Sequence, residues 1–279
     1  MGLQLGLGWS GVAGATPSLP GNTAAVVRQA AAAVGRAFVE GGLNHQTVRL
    51  PLSEAMYSDS EEGFVADRAI GWQGGPRETY RYLQPVARQL MQAMDAGGGD
   101  TGGVPPRLKE QTLLDFDGSA LLTAESPFGA LHDVQALLQP NADGYYLKLI
   151  CGVEAQFSDL PGKPPRLFVL VNPAWRDRSS WGFFDGKAAQ QLVLDRYETT
   201  FALDQFIVRG QKVSLLRVWP EDWCVYVTSL DGTEARDDAR LDGAGQARLL
   251  GTFAERPAYK DVDELCRNAI NEMCVEELS

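Results

Sequence analysis

Residues 166–173 read Arg-Leu-Phe-Val-Leu-Val-Asn-Pro, and this stretch decides the fold class of the chain. Five successive apolar residues are typical of a strand that is buried on both faces, as the central strands of a parallel sheet are. Asn-Pro then ends the strand, because proline restricts the residue before it and has no backbone N–H to donate. The stretch therefore predicts a central strand of an α/β sheet.

The chain before this strand alternates between helical and strand patterns. Apolar residues at three- and four-residue steps predict a helix over about 22–40, and a short strand follows at 47–52. A second apolar stripe, which begins after Pro76 and ends at Met94, predicts another helix. The same patterns predict two further strands and a helix, over 112–116, 133–138 and 145–157.

The chain after residue 188 has the pattern of an antiparallel meander. Three β-rich runs, 199–208, 212–219 and 223–228, are joined by short turns that contain glycine or proline, as hairpins are. Residues 248–253 add a further strand, and 261–273 predict a final helix. The order predicts an α/β fold with a mixed sheet, in which N-terminal helix–strand units pack on a sheet that is extended by a C-terminal antiparallel meander and a closing helix.

Composition divides the chain into a short tail and one domain. Residues 1–16, rich in glycine and small side chains, are predicted to be a flexible N-terminal segment. Residues 17–279 are predicted to form a single α/β domain with a glycine-rich loop insertion at about 96–106, because neither flank of that loop looks self-sufficient.

The charge balance excludes several classes of partner. The chain of 279 residues carries a formal net charge of −11, which repels phosphate backbones and argues against broad nucleic-acid binding. No apolar run approaches the length of a membrane-spanning helix. Four scattered cysteines and two histidines have no metal-ligand spacing, so the sequence predicts no metal and no cofactor.

Several short motifs resemble one family of cyanobacteria and chloroplasts. The motifs that carry this resemblance are Leu170-Val-Asn-Pro-Ala-Trp175, residues 195–203, residues 216–223, and the segments 117–121, 124–127 and 133–140. The family is a domain of unknown function that includes a low-photosystem-II-accumulation assembly factor and a domain appended to a plastid adenylate kinase. The resemblance covers about residues 17–270, but no phosphate-binding loop of the kinase type occurs.

The resemblance implies a location and a role. It implies a chloroplast protein, stromal or thylakoid-associated, that assists the assembly of photosynthetic complexes through protein partners and has at most a peripheral contact with the thylakoid. The family brings no established chemistry with it. The expected function is therefore that of a non-catalytic accessory protein.

The motif residues themselves have an architectural interpretation. Asn172 and Pro173 end the buried strand, where the asparagine side chain can satisfy loose backbone groups. Trp219 and Trp223 flank the turn at Pro220 and can clamp a hairpin by aromatic packing. A ligand-binding role for the two tryptophans is the alternative.

The most specific enzymatic motif is Asp115-Phe-Asp117-Gly-Ser, which resembles the first motif of haloacid-dehalogenase phosphatases. In that superfamily the first aspartate is the nucleophile and the second the acid/base, with Mg²⁺ between them. The strand before it is short of apolar residues, however. The superfamily also needs a serine or threonine after a second strand, then a lysine, then an acidic pair. Ser229 and the pair 237–238 could serve as the first and the last, but no lysine lies between them. A Mg²⁺-dependent phosphatase is kept as the alternative function.

Residues 175–184 combine arginines with large aromatic side chains, a composition typical of interface hot spots. The interaction candidates are Trp175, Arg176, Arg178, Trp181 and Phe183. The alternative is a loop that folds back on the core. A third function class, a small-ligand module at the sheet edge, also stays open.

Overall fold

A computed structural model describes residues 16–51, 75–94, 104–114, 119–158, 161–227 and 247–276. The elements within these ranges are α1 (Thr23–Val39), β1 (His45–Arg49), α2 (Pro76–Ala93), β2 (Arg107–Leu114), β3 (Ser119–Glu125), β4 (Val134–Leu138), α3 (Gly144–Gln156), β5 (Phe168–Val171), α4 (Gly182–Ala189), β6 (Glu198–Val208), β7 (Gln211–Val218), β8 (Trp223–Val227), β9 (Arg248–Phe253) and α5 (Tyr259–Glu276). The segment predicted to be flexible (1–16) and the glycine-rich loop (96–106) lie largely outside the described residues.

The described strands form one nine-stranded mixed sheet in the order β2-β3-β4-β5-β1-β6-β7-β8-β9. The four central strands β4, β5, β1 and β6 run parallel, and every other neighbouring pair is antiparallel. All four residues of β5 are fully buried. The predicted mixed α/β sheet, with its buried strand, C-terminal meander and closing helix, is confirmed.

One face of the sheet is covered by α1 and α2. Val169 and Val171 of β5 and Val48 of β1 belong to the same apolar cluster as the buried stripes of these helices. The stripes arise because residues three and four apart share one side of a helix. At the start of α1, the N–H of Ala25 donates to Oδ1 of Asn22, which caps the helix.

The opposite face is covered in two halves. Phe168 and Leu170, which alternate with the valines of β5, pack with α3, α4 and Trp181 in one cluster. Val213 and Leu215 of β7 pack with α5 in another. A cleft lies between these two groups of helices. Across the described residues, every helix is too short or too polar to cross a bilayer.

The structure departs from the predicted elements in three places. Strand β1 ends at Arg49, before Pro51, rather than at residue 52. Strand β3, which pairs with β2 and β4, was not predicted as a strand. Residues 178–194, for which no helix or strand was predicted, form a short 3-10 turn, α4 and a π-helical segment, Gln190–Leu194. Helix α4 has no amphipathic period that periodicity could detect, because its sequence begins Gly-Phe-Phe-Asp-Gly.

Candidate functional site

The cleft lies over the carboxyl ends of the parallel strands β1 and β5 and has a volume of about 460 Å³. The next described element after β1 is α2, which packs on the other face beside β3 and β4. From β5 it forms α4 on this face and returns in β6, beyond β1. Connections that leave two neighbouring parallel strands in opposite directions open a crevice, which is where α/β proteins bind ligands.

Arg49, the last residue of β1, forms the floor of the cleft. Its Nη1 donates to the carbonyl of Pro173 at 3.1 Å, and its Nη2 donates to the carbonyl of Trp175. Burial lowers the pKa of Arg49 to about 10; Asp204 opposes that effect, while Arg176 and Arg256 add to it. Arg49 therefore stays charged at neutral pH, among other positive charges.

Arg217 of β7 is a second arginine on the floor; it is buried, and its hydrogen bonds are largely committed to the protein. Its Nε donates to the carbonyl of Thr199 at 3.4 Å, and its Nη1 donates to the carbonyl of Glu221. Its Nη2 lies 3.4 Å from Oε1 of Glu198, which also lines the cleft. Arg217 thus positions the neighbouring chain segments as well as contributing charge.

Arg256, which follows β9, lies between an acid and an aromatic ring. Its Nη2 donates to Oδ2 of Asp204 at 2.8 Å, and its guanidinium carbon is 5.8 Å from the centre of the Trp223 ring. Its Nε is buried and has no hydrogen-bond partner within the described residues. A buried donor without an acceptor is costly, so Nε is an unsatisfied group in a residue that lines the cleft.

Arg176 and Arg178 are exposed on the rim of the cleft. Within the described part of the chain, neither guanidinium forms an ion pair. Between them, Asp177 accepts hydrogen bonds from the hydroxyl and the N–H of Ser179, which hold the pKa of its carboxyl below the usual value. Its carboxylate is therefore committed to the local turn.

The charge of the cleft is opposite to that of the chain. Its lining contains five arginines and three carboxylates, Asp177, Glu198 and Glu255, whereas the chain as a whole carries −11. Arginine has a planar fork of donors that matches carboxylate and phosphate oxygens. The arrangement can therefore bind an anionic group.

One wall of the cleft comes from the π-helical segment Gln190–Leu194 and from Tyr197. Such segments are rare and are found frequently at functional sites. The hydroxyl of Tyr197 donates to Oε1 of Glu154 in α3 at 2.5 Å, which ties the wall to the core.

Four of the five predicted interaction residues of 175–184 divide into two groups. Trp175 and Trp181 are both 3 % exposed, and their rings are 4.6 Å apart within the core. Arg176 and Arg178 are accessible on the rim. Phe183 lies in α4, and its side chain is outside the described part of the structure.

The predicted architectural residues lie around the same end of the sheet. Asn172 adopts a left-handed conformation (φ 49°), and its side chain bonds both the N–H and the carbonyl of Leu50, at 2.7 and 2.8 Å. Pro173 follows, and its carbonyl accepts from Arg49.

The two tryptophans of the β7–β8 turn have different surroundings. The ring of Trp219, which precedes Pro220 through a cis peptide bond, lies beside Gly41 at the end of α1. Trp223 packs in the apolar cluster under α5 and lines the cleft.

The predicted phosphatase residues Asp115 and Asp117, and Asp238 with them, lie outside the described residues. The strand that precedes the pair, β2, is an edge strand of the described sheet. Among the described residues, no group of three or more histidines, cysteines, aspartates or glutamates is placed to hold a metal ion.

Sequence reasoning missed Arg49, Arg217 and Arg256 as site residues. They lie far apart in the chain, and no spacing connects them. The one available signal is Arg217, a charged residue inside the apolar run Leu215-Leu-Arg-Val218, where an unpaired charge would be costly.

Comparison with known proteins gives one match. The model of a family described as a domain of unknown function, DUF1995, matches residues 20–264. No curated protein and no solved structure matches the chain significantly.

Proposed function

The chain belongs to the DUF1995 family of domains of unknown function, and from that premise we propose that it is a non-catalytic accessory protein that holds an anionic segment of a partner protein in its arginine-lined cleft. The observation that carries the proposal is the meeting of five arginines at one cleft, in a chain with a net charge of −11. Electrostatic complementarity of this kind guides association and selects acidic partners.

The rim and the floor of the cleft have different roles in this proposal. Arg176 and Arg178 are exposed and make the first contacts with the partner. Arg49 and Arg217 hold the backbone around the cleft, so the binding surface is formed before the partner arrives. A surface that is already ordered loses less conformational entropy on binding.

The cellular role that we propose is assistance in the assembly or stability of photosynthetic complexes in the chloroplast, in the stroma or at the thylakoid surface. The support for it is the resemblance of the motifs around Asn172 and Trp219 to family members with that role. It has a test of its own, namely the location of the tagged full-length chain in a photosynthetic cell. A location outside the chloroplast would contradict this part of the proposal.

Binding is tested with a fluorescein-labelled peptide rich in glutamate and aspartate, by fluorescence anisotropy at several salt concentrations. We expect binding that weakens with salt, and a loss of about tenfold or more in the double variant Arg176→Glu/Arg178→Glu. The control is Arg81→Glu, which reverses the charge of an exposed arginine in α2, on the other face of the sheet. If the rim variant binds the peptide as well as the control does, the cleft is not the binding surface.

A further inference from the structure

One part of the cleft, from its floor to its rim, concentrates positive charge. Arg49, Arg176 and Arg256 all line it, and Arg49 is repelled by both of the others. Asp204 offsets part of this repulsion through its ion pair with Arg256. Like charges that are held together in a partly buried site favour a bound anion, because the anion relieves their repulsion.

The same place contains an unsatisfied donor. The Nε of Arg256 is buried and lacks an acceptor among the described residues, although the Nη2 of the same guanidinium is bonded to Asp204. Native proteins seldom leave such a donor without a partner. A ligand oxygen would accept from Nε once the Arg256 side chain turned this atom towards the cleft.

The number of charges indicates which anion fits. Arg49, Arg176 and Arg256, taken together with Asp204, carry two net positive charges at this place. A phosphate monoester carries about −1.5 to −2 charges at pH 7 and presents three acceptor oxygens. A carboxylate carries one charge and two oxygens, so it satisfies fewer of the donors.

We infer that this part of the cleft is a phosphate-monoester subsite in which Arg49 and Arg256 on the floor and Arg176 on the rim surround one phosphate group. The inference rests on the proposed function, because it names the anionic group that the cleft receives. The cleft of about 460 Å³ is larger than one phosphate, so the group is carried on a larger molecule. That molecule is a phosphorylated segment of the partner protein or a phosphorylated metabolite, and the two share this chemistry.

The test compares two labelled peptides that differ at one position, phosphoserine in one and glutamate in the other, by anisotropy between pH 5 and pH 7.5. At pH 7.5 we expect the phosphopeptide to bind about tenfold more tightly. The second pKa of the phosphate is about 6, so this advantage shrinks as the pH falls to 5. The affinity for the glutamate peptide changes less over this range, because its carboxylates titrate near pH 4.3 or below, at about the lower end of it.

Variants assign the effect to the subsite. Arg176→Gln changes an exposed side chain and is expected to weaken phosphopeptide binding about tenfold, with a smaller effect on the glutamate peptide. Arg256→Lys keeps the charge but loses the fork, and is expected to reduce the preference for phosphate. Arg81→Gln is the matched control and leaves both affinities unchanged. Thermal unfolding shows whether Arg256→Lys is folded, and Arg176→Gln decides the question if it is not.

Free phosphoserine and phenyl phosphate, used as competitors, identify the source of the phosphate group. Tight binding of the phosphopeptide with weak binding of both free esters supports the subsite and the partner proposal together. Tight binding of a free ester, with no gain from the peptide, supports the subsite and contradicts the partner proposal. Equal binding of the phosphoserine and glutamate peptides overturns the subsite and leaves the partner proposal standing, and the absence of any binding overturns both.

Discussion

Arg196 donates from Nη1 to Oε2 of Glu154 at 2.8 Å, and this ion pair joins helix α3 to the wall of the cleft. The carboxylate side chain is 3 % exposed, whereas the arginine side chain is 33 % exposed. Glu154 also accepts from Tyr197, and its Oε1 lies 3.8 Å from Nε2 of His45. A buried carboxylate is thus held by groups from β1 and from the segment before β6.

We predict that Arg196→Met lowers the free energy of unfolding by about 3 kcal/mol, because it leaves the carboxylate of Glu154 buried without its cation. Urea denaturation measures the change. The double variant Glu154→Gln/Arg196→Met should recover part of the loss, since it removes the buried charge as well. A double variant less stable than Arg196→Met would contradict this explanation, and Arg81→Met is the control at an exposed site.

The link between β1 and β5 through Asn172 gives a second prediction. Asn172→Ala removes both hydrogen bonds to the backbone of Leu50 and places alanine in a left-handed conformation. We expect a loss of about 2–4 kcal/mol in unfolding free energy. Asn172→Gly loses the same hydrogen bonds without the conformational strain, so it should be more stable than the alanine variant by about 1 kcal/mol. Equal stabilities would show that the backbone conformation of residue 172 contributes little.

Protonation of Glu110 is expected to make the free energy of unfolding depend on pH. Burial raises its pKa, but hydrogen bonds from Tyr80, Gln84 and Arg88 outweigh burial, and the pKa lies below the usual value. The stabilising contribution of the ionised Glu110 is therefore complete above the unfolded pKa of about 4.3 and is lost as the pH falls through the lower folded value.

Urea midpoints measured between pH 7 and pH 3 check this contribution. The variant Glu110→Gln should lose less stability on acidification than the wild type does. Glu78→Gln, at an exposed position of α2, should follow the wild-type curve. Parallel curves for Glu110→Gln and the wild type would show that Glu110 does not contribute to the loss of stability in acid.

Arg49 is predicted to order residues 173–181, the segment that contains the rim arginines Arg176 and Arg178. Arg49→Lys keeps the charge, but one ammonium cannot reproduce the paired bonds to the carbonyls of Pro173 and Trp175. We expect amide hydrogen exchange in residues 173–181 to become about tenfold faster, because a charge-assisted hydrogen bond is lost there. Peptides from α1 serve as the internal control, and unchanged exchange in 173–181 would contradict the role of Arg49.

The phosphatase alternative has a direct test. We expect phosphate release from an aryl phosphate in the presence of Mg²⁺ to be equally low for the wild type and for Asp115→Asn. A rate in the wild type that is well above background and is abolished in Asp115→Asn would make the chain an enzyme and replace the proposal of a binding protein.

Much of the fold could be predicted because it depends on local patterns. The five apolar residues before Asn172 identify a strand buried on both faces, and the stripes of α1 and α2 identify helices that cover a sheet. Strand β3 and helix α4 escaped prediction, because a short apolar run and a glycine-containing helix carry little periodic signal. Neither the order of the strands nor their register is contained in a local pattern.

The sequence by itself determined most of the helices and strands, where the central strand ends, and that the chain is acidic. Only the tertiary structure decided that Arg49, Arg176, Arg217 and Arg256 share one cleft, although the first and the last are more than 200 positions apart. The reason is that the face on which a strand residue lies is set by register, and its neighbours by the order of the sheet. Both depend on contacts between distant segments, which no window of the sequence contains.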